Sequence, residues 1–163
     1  MIFSLPKEGK KALSLPHFPT KAQAFIFRAY EYVPANKIAE ILGTTEENVI
    51  RAAEDMGLPD YAPVNVWLER GYITIIRRMW HILPYDQLLE LFDVDEQTLA
   101  RIMQDDDFLN IKLSDKPECE KVTWRELTEE EKSRTAEIKA IMKQIDLSGK
   151  RPFDFEFEVP QIR

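Results

Sequence analysis

Apolar positions along the first two thirds of the chain follow a helical period, and they do so twice. From Val64 through Trp67, Leu68, Tyr72, Ile75, Ile76, Met79 and Trp80 to Leu83, they recur at i, i+3, i+4 and i+7, the spacing of a helix with one buried face. Ala22, Phe25, Ile26, Ala29, Tyr30 and Val33 repeat the pattern upstream. Pro34 and Pro84 interrupt the two stripes, each suited to the first turn of a new helix, where a missing N–H costs nothing. Short second helices are expected at 35–42 and 85–92, and third helices ending near Met56 and Gln104.

A shift of fifty residues superimposes the two patterns. It pairs Arg28 with Arg78, Val33-Pro34 with Leu83-Pro84, Ile38–Leu42 with Leu88–Phe92, and Arg51 with Arg101, so one supersecondary unit occurs in tandem. Between helices two and three the first copy has Gly43-Thr44-Thr45, with Thr44 and Glu47 at capping-box spacing, and the second has Asp93-Val94-Asp95 with Asp93 and Glu96 in the same places. A turn glycine flanked by small and apolar residues (Ile38, Ala39, Leu42, Val49, Ala52) is the helix-turn-helix signature. The second copy fits less well, since Leu89 and Asp93 replace the small alanine and the turn glycine.

Beyond residue 107 the texture changes. Phe108, Leu109, Ile111 and Leu113 alternate in part with polar residues, predicting a short strand, and Val122 and Trp124 suggest a return strand. Thr128 and Glu131 open a helix with a capping box, Ile138, Ile141, Met142 and Ile145 give it a stripe, and Gly149 is placed to end it. In RPFDFEFEVPQIR, Phe153, Phe155, Phe157 and Val159 alternate with acids, the pattern of a half-buried strand that needs a sheet. The expected fold is mainly α: an arm at 1–19, helical repeats at 20–62 and 63–110, a hairpin or loop at 111–127, a helix at 128–149, and at 150–163 a strand or linker. That last strand either pairs with the hairpin or leads into a further domain, which would make the chain part of a longer protein.

Composition narrows the chemistry. One cysteine, Cys119, and two histidines, His17 and His81, give little from which to build a metal site. No cofactor is implied, because the five glycines are isolated and form no phosphate loop. An EF-hand reading of Asp93-Val94-Asp95 fails at Thr98 and Gln104, where a glycine and a glutamate belong. No long uncharged apolar run or leader-like segment is present, so a cytoplasmic location without membrane contact is expected.

Charge bears on the helix-turn-helix reading. Residues 28–110 hold seven basic against sixteen acidic side chains, whereas a DNA reader gains its affinity by neutralising phosphates. The DNA-contacting candidates, if there are any, are Thr45, Asn48, Arg51, Gln97 and Arg101, on the outer faces of the third helices beside Glu46, Glu47, Asp95 and Glu96. Lys7, Lys10, Lys11 and Lys21 read as a solvated arm. Asp105-Asp106-Asp107 opposes a helix dipole and is expected to pair with Arg77 or Arg78. His81 has no nucleophile or acid at a catalytic spacing and reads as structural, and the scattered carboxylates read as solvated helix faces, so no catalytic residue is assigned. Tyr61, Tyr85 and Trp124 are candidates for stacking on sugar rings, while Trp67 and Trp80 belong to the core stripe.

Residues 77–119, with the later TAEIKAIM and RPFDFEF, resemble the helical segment that precedes the catalytic barrel in large bacterial proteins assigned as glycoside hydrolases of the glucuronidase-like or hexosaminidase-like kind. The resemblance implies an accessory position in such a chain, and it carries over no catalytic residue. The expected role is a non-catalytic interaction module whose partner is a downstream domain or another protein. The alternative is a helix-turn-helix transcriptional regulator binding nucleic acid.

Overall fold

The computed structural model describes residues 3–60, 71–105 and 108–145. Among them are eight helices and two short strands: β1 (Glu8–Lys11), α1 (Lys21–Ala29), α2 (Ala35–Leu42), α3 (Glu46–Asp55), α4 (Tyr72–Met79), α5 (Tyr85–Phe92), α6 (Glu96–Asp105), α7 (Leu109–Leu113), β2 (Lys116–Glu118) and α8 (Glu129–Met142). The protein is mainly helical with a two-stranded parallel sheet. The beginning of the second stripe, Gly149, Trp67, Tyr61 and the 150–163 strand fall outside the described residues.

Helices α2 and α5 occupy the residues that periodicity predicts, and they end alike. Gly43 and Asp93 are both left-handed, at φ 73° and 54°. The next N–H in each reaches back five residues, Thr44 to the Ala39 carbonyl and Val94 to that of Leu89, which closes a Schellman turn. The caps of the third helices lie further on than spacing suggested. Thr45, not Thr44, accepts from the Asn48 N–H at 3.2 Å, and Asp95, not Asp93, accepts from the Thr98 N–H at 2.8 Å. Residues 43 and 93 have already been used by the preceding helix ends.

Among the described residues both sets of helices contribute to one core, which includes Phe25, Ile26, Ile38, Val49, Ile75, Met79, Trp80, Leu88 and Leu99. Helix α1 packs on α4, and α2 on α5. Arg28 Nη1 donates to the Arg78 carbonyl at 3.4 Å while Arg78 Nε donates to the Arg28 carbonyl at 2.9 Å, an exchange between residues fifty apart. The Arg78 guanidinium also stacks 5.1 Å from the Tyr32 ring centroid. The pairing expected between Asp105-Asp106-Asp107 and Arg77 or Arg78 involves Asp106 and Asp107, which lie outside the described residues.

Three expectations change beyond residue 107. The strand predicted at 108–113 is the helix α7: Leu109 is buried and Ile111 is 71% exposed. Leu109 and Leu113 therefore share a face at helical spacing, a pattern that alternation over so few residues mimics. No hairpin forms at 111–127, because β2 pairs in parallel with β1, Glu8 opposite Lys116 and Lys11 opposite Glu118. The arm is consequently docked and not a free tail. Tyr85 donates its hydroxyl to the Pro6 carbonyl at 2.5 Å, and Gln97 exchanges two hydrogen bonds with the Phe3 backbone. Lys7, Lys10 and Lys11 themselves stay exposed.

Val122, expected in the return strand, is buried but lies on no strand. The buried Gln87 amide replaces a strand partner, donating to the Val122 carbonyl at 2.7 Å and accepting from its N–H at 2.8 Å. It also donates to the Ile41 carbonyl at 3.3 Å. Helix α8 opens with the predicted capping box on Thr128 and Glu131, but its inward positions are Thr135, Ile138 and Met142, leaving Ile141 59% exposed.

Candidate cleft at Trp124

A cleft of about 330 Å³ opens where the start of α1, the outer side of α3 and the 124–127 segment meet. Its apolar floor is Ala22, Ala52, Trp124 and Leu127, and its rim carries Thr20, Arg51, Asp55, Arg125, Glu126 and Lys132. The Trp124 N–H donates to the Leu42 carbonyl at 3.0 Å, which fixes the segment on the end of α2. The tryptophan ring stays partly exposed. An apolar floor with a charged rim is the shape that seats one anchoring side chain of a partner.

Two of the rim cations, Arg125 and Lys132, are held by nearby acids. Arg125 grips Glu131 with two hydrogen bonds of 2.7 and 2.6 Å. That fork, helped by the Thr128 N–H, holds the Glu131 carboxyl down at about 2, and the same pairing raises the Arg125 pKa. Lys132 meets Glu129 at 3.2 Å. Behind the floor the buried Gln23 donates to Thr135 Oγ1 at 2.7 Å, tying α1 to α8.

The sequence candidates are placed unequally around this geometry. Thr45, Asn48 and Arg51 form a chain along α3: the Asn48 backbone N–H donates to Thr45 Oγ1 at 3.2 Å and Arg51 Nη2 donates to Asn48 Oδ1 at 2.5 Å, while Asn48 Nδ2 donates to Thr44 Oγ1 at 2.9 Å. Arg51 and Trp124, candidates for different ligands, both line the cleft. Gln97 is engaged by the arm, Arg101 lies exposed on α6, and neither lines this cleft. Tyr85 is not free to stack on a sugar, since its ring meets Trp80 edge-on at 5.9 Å and its hydroxyl holds Pro6. Burial raises the Tyr85 pKa. His81 is pushed down, first by burial and then by the cations Lys116 and Arg28.

No family model matches the chain, and searches of curated proteins and of solved structures return no match. Among the described residues no group of three or more His, Cys, Asp or Glu side chains could hold a metal ion, and no helix is long and apolar enough to cross a membrane. Sequence reasoning missed Gln23, Gln87 and Arg125. For the glutamines a signal existed, a polar residue inside an apolar stripe. Arg125 meets Glu131 across the start of a helix, a contact with no characteristic spacing.

Proposed function

We propose that this chain is a non-catalytic interaction module, built from two tandem three-helix units of helix-turn-helix type, that seats a protein partner at the Trp124 cleft. One observation carries the reading: a partly exposed tryptophan on a preformed apolar floor, ringed by charged groups of which Arg51, Arg125 and Lys132 meet intramolecular partners. Preorganised aromatic anchors of this kind concentrate binding energy, because little side-chain entropy is lost on association. The tandem arrangement is supported by helix ends repeating at fifty residues and by the reciprocal arginine contacts. The partner is a downstream domain of the same polypeptide, by the resemblance to segments preceding glycoside hydrolase barrels.

Two measurements test this. An extract of the source cells probed with an antibody to residues 20–110 should show a polypeptide far larger than 19.1 kDa. A photo-crosslinker at Leu127 should then join to that downstream domain, and Trp124→Ala should abolish the adduct. A native polypeptide of 19.1 kDa, or duplex DNA binding that falls steeply as salt rises, would instead favour the regulator reading through Thr45, Asn48, Arg51, Gln97 and Arg101.

A further inference from the structure

Lys116, at the start of β2, is 1% exposed. Its ammonium lies 5.6 Å from the ring centroids of both Trp80 and Tyr85, and donates to the Pro117 carbonyl at 2.9 Å and to the Cys119 sulfur at 3.4 Å. Among the described residues no carboxylate forms an ion pair with it. A buried cation with no ion-paired carboxylate is costly even when two ring faces share its charge and Glu8 attracts it at longer range. Burial accordingly lowers the Lys116 pKa, which brings the neutral amine within reach. Cys119 is partly exposed, and its thiol turns to the same Pro117 carbonyl at 3.5 Å. Amine and sulfur thus converge on one oxygen, and of the two residues Cys119 is the more exposed.

We infer that Lys116 and Cys119 together form an oxidation-responsive pair, in which a peroxide oxidises the thiol and the buried amine captures the product as a sulfur–nitrogen bond. In the first step the deprotonated sulfur attacks one peroxide oxygen. The S–O bond forms, the O–O bond breaks, and the leaving hydroxide takes up the thiol proton as water, giving the sulfenic acid. In the second step the Lys116 nitrogen lone pair attacks that sulfur. The N–S bond forms, the S–OH bond breaks, and hydroxide leaves with a nitrogen proton as a second water. One peroxide is reduced and the pair loses two hydrogens. Proximity favours capture, since the reacting atoms already stand at near-attack distance. Charge favours it too: the product replaces an unpaired buried cation with a neutral nitrogen. An external thiol reverses the bond and restores both side chains.

The experiment treats the full chain with hydrogen peroxide, digests it with trypsin, and weighs the peptide 113–121, which holds both residues. The expected product is lighter by two hydrogens, has lost its titratable thiol, and returns to the starting mass with dithiothreitol. Lys116→Met, with its fold checked by circular dichroism, should lose that product and let Cys119 go on to the sulfinic acid. The inference is overturned if the wild-type peptide only gains oxygens at the rate seen in Lys116→Met. It is equally overturned if the sole product is a covalent dimer through Cys119.

Discussion

Gly57 and Gly43 are both left-handed, yet their surroundings differ in a way that a substitution can measure. At Gly57, φ 84°, an added Cβ would lie 2.9 Å from Met142 Cβ and 3.2 Å from Lys139 Cα, so α8 rests on this residue. At Gly43 nothing lies within 4 Å. Gly43→Ala should cost only the left-handed backbone penalty, about 1 kcal/mol, as a non-glycine residue, Asp93, already occupies the equivalent position. Gly57→Ala should cost about 2 kcal/mol or more, because the helix must also shift. Urea unfolding compares the two, and equal losses would show that the α8 contact contributes nothing. Glu131 supplies a pH test at the same scale. Its folded pKa, about 2, lies below the ordinary 4.5, so its contribution is complete above about pH 4.5 and disappears as pH falls towards 2. Glu131→Gln should flatten that part of the stability profile, and an unchanged acid limb would count against the Arg125 fork.

At the scale of elements, the 119–127 segment has no regular structure and is held by side chains from other elements. Gln87 satisfies both backbone groups of Val122 and the Ile41 carbonyl, and all of these bonds are buried. Gln87→Leu would leave three polar groups unpaired in the core. We expect a loss of about 3 kcal/mol together with a specific rise in amide exchange at Val122 and Trp124. Exchange at Val122 that tracked global unfolding in both proteins would refute the local role. Because Trp124 is carried on this segment, the same variant should reduce binding at the cleft without touching its lining.

At the scale of the whole molecule, one continuous core runs through the helices before and after residues 61–70, with α1 packed on α4 and α2 on α5. Because the described helices share that core, urea unfolding followed by tryptophan fluorescence and by far-ultraviolet circular dichroism should give coincident single transitions. Two separated midpoints would show independent repeats. The docked arm belongs to this unit. Removing residues 1–12 deletes β1 and the contacts to Tyr85 and Gln97, and should lower the melting temperature and raise amide exchange through β2.

Local pattern alone determined the mainly helical character, the ends of α2 and α5, the glycine turn at residue 43, and the capping box of α8. Those features depend on neighbours three to five residues away, and helical periodicity and capping chemistry report on that range. The pairing of β1 with β2, the folding of 109–113 as helix, and the meeting of Arg51 with Trp124 were decided by tertiary structure. Four-residue and three-residue strands have too little pattern to name a partner more than a hundred residues away. The five residues of α7 fit either period until packing buries Leu109 and exposes Ile111. Lys116 shows the same limit, because a lysine within a polar stretch carries no sign that two aromatic rings, one from the α4–α5 connection and one from the start of α5, will flank it. Burial of a charged group is settled by what the rest of the chain brings to it.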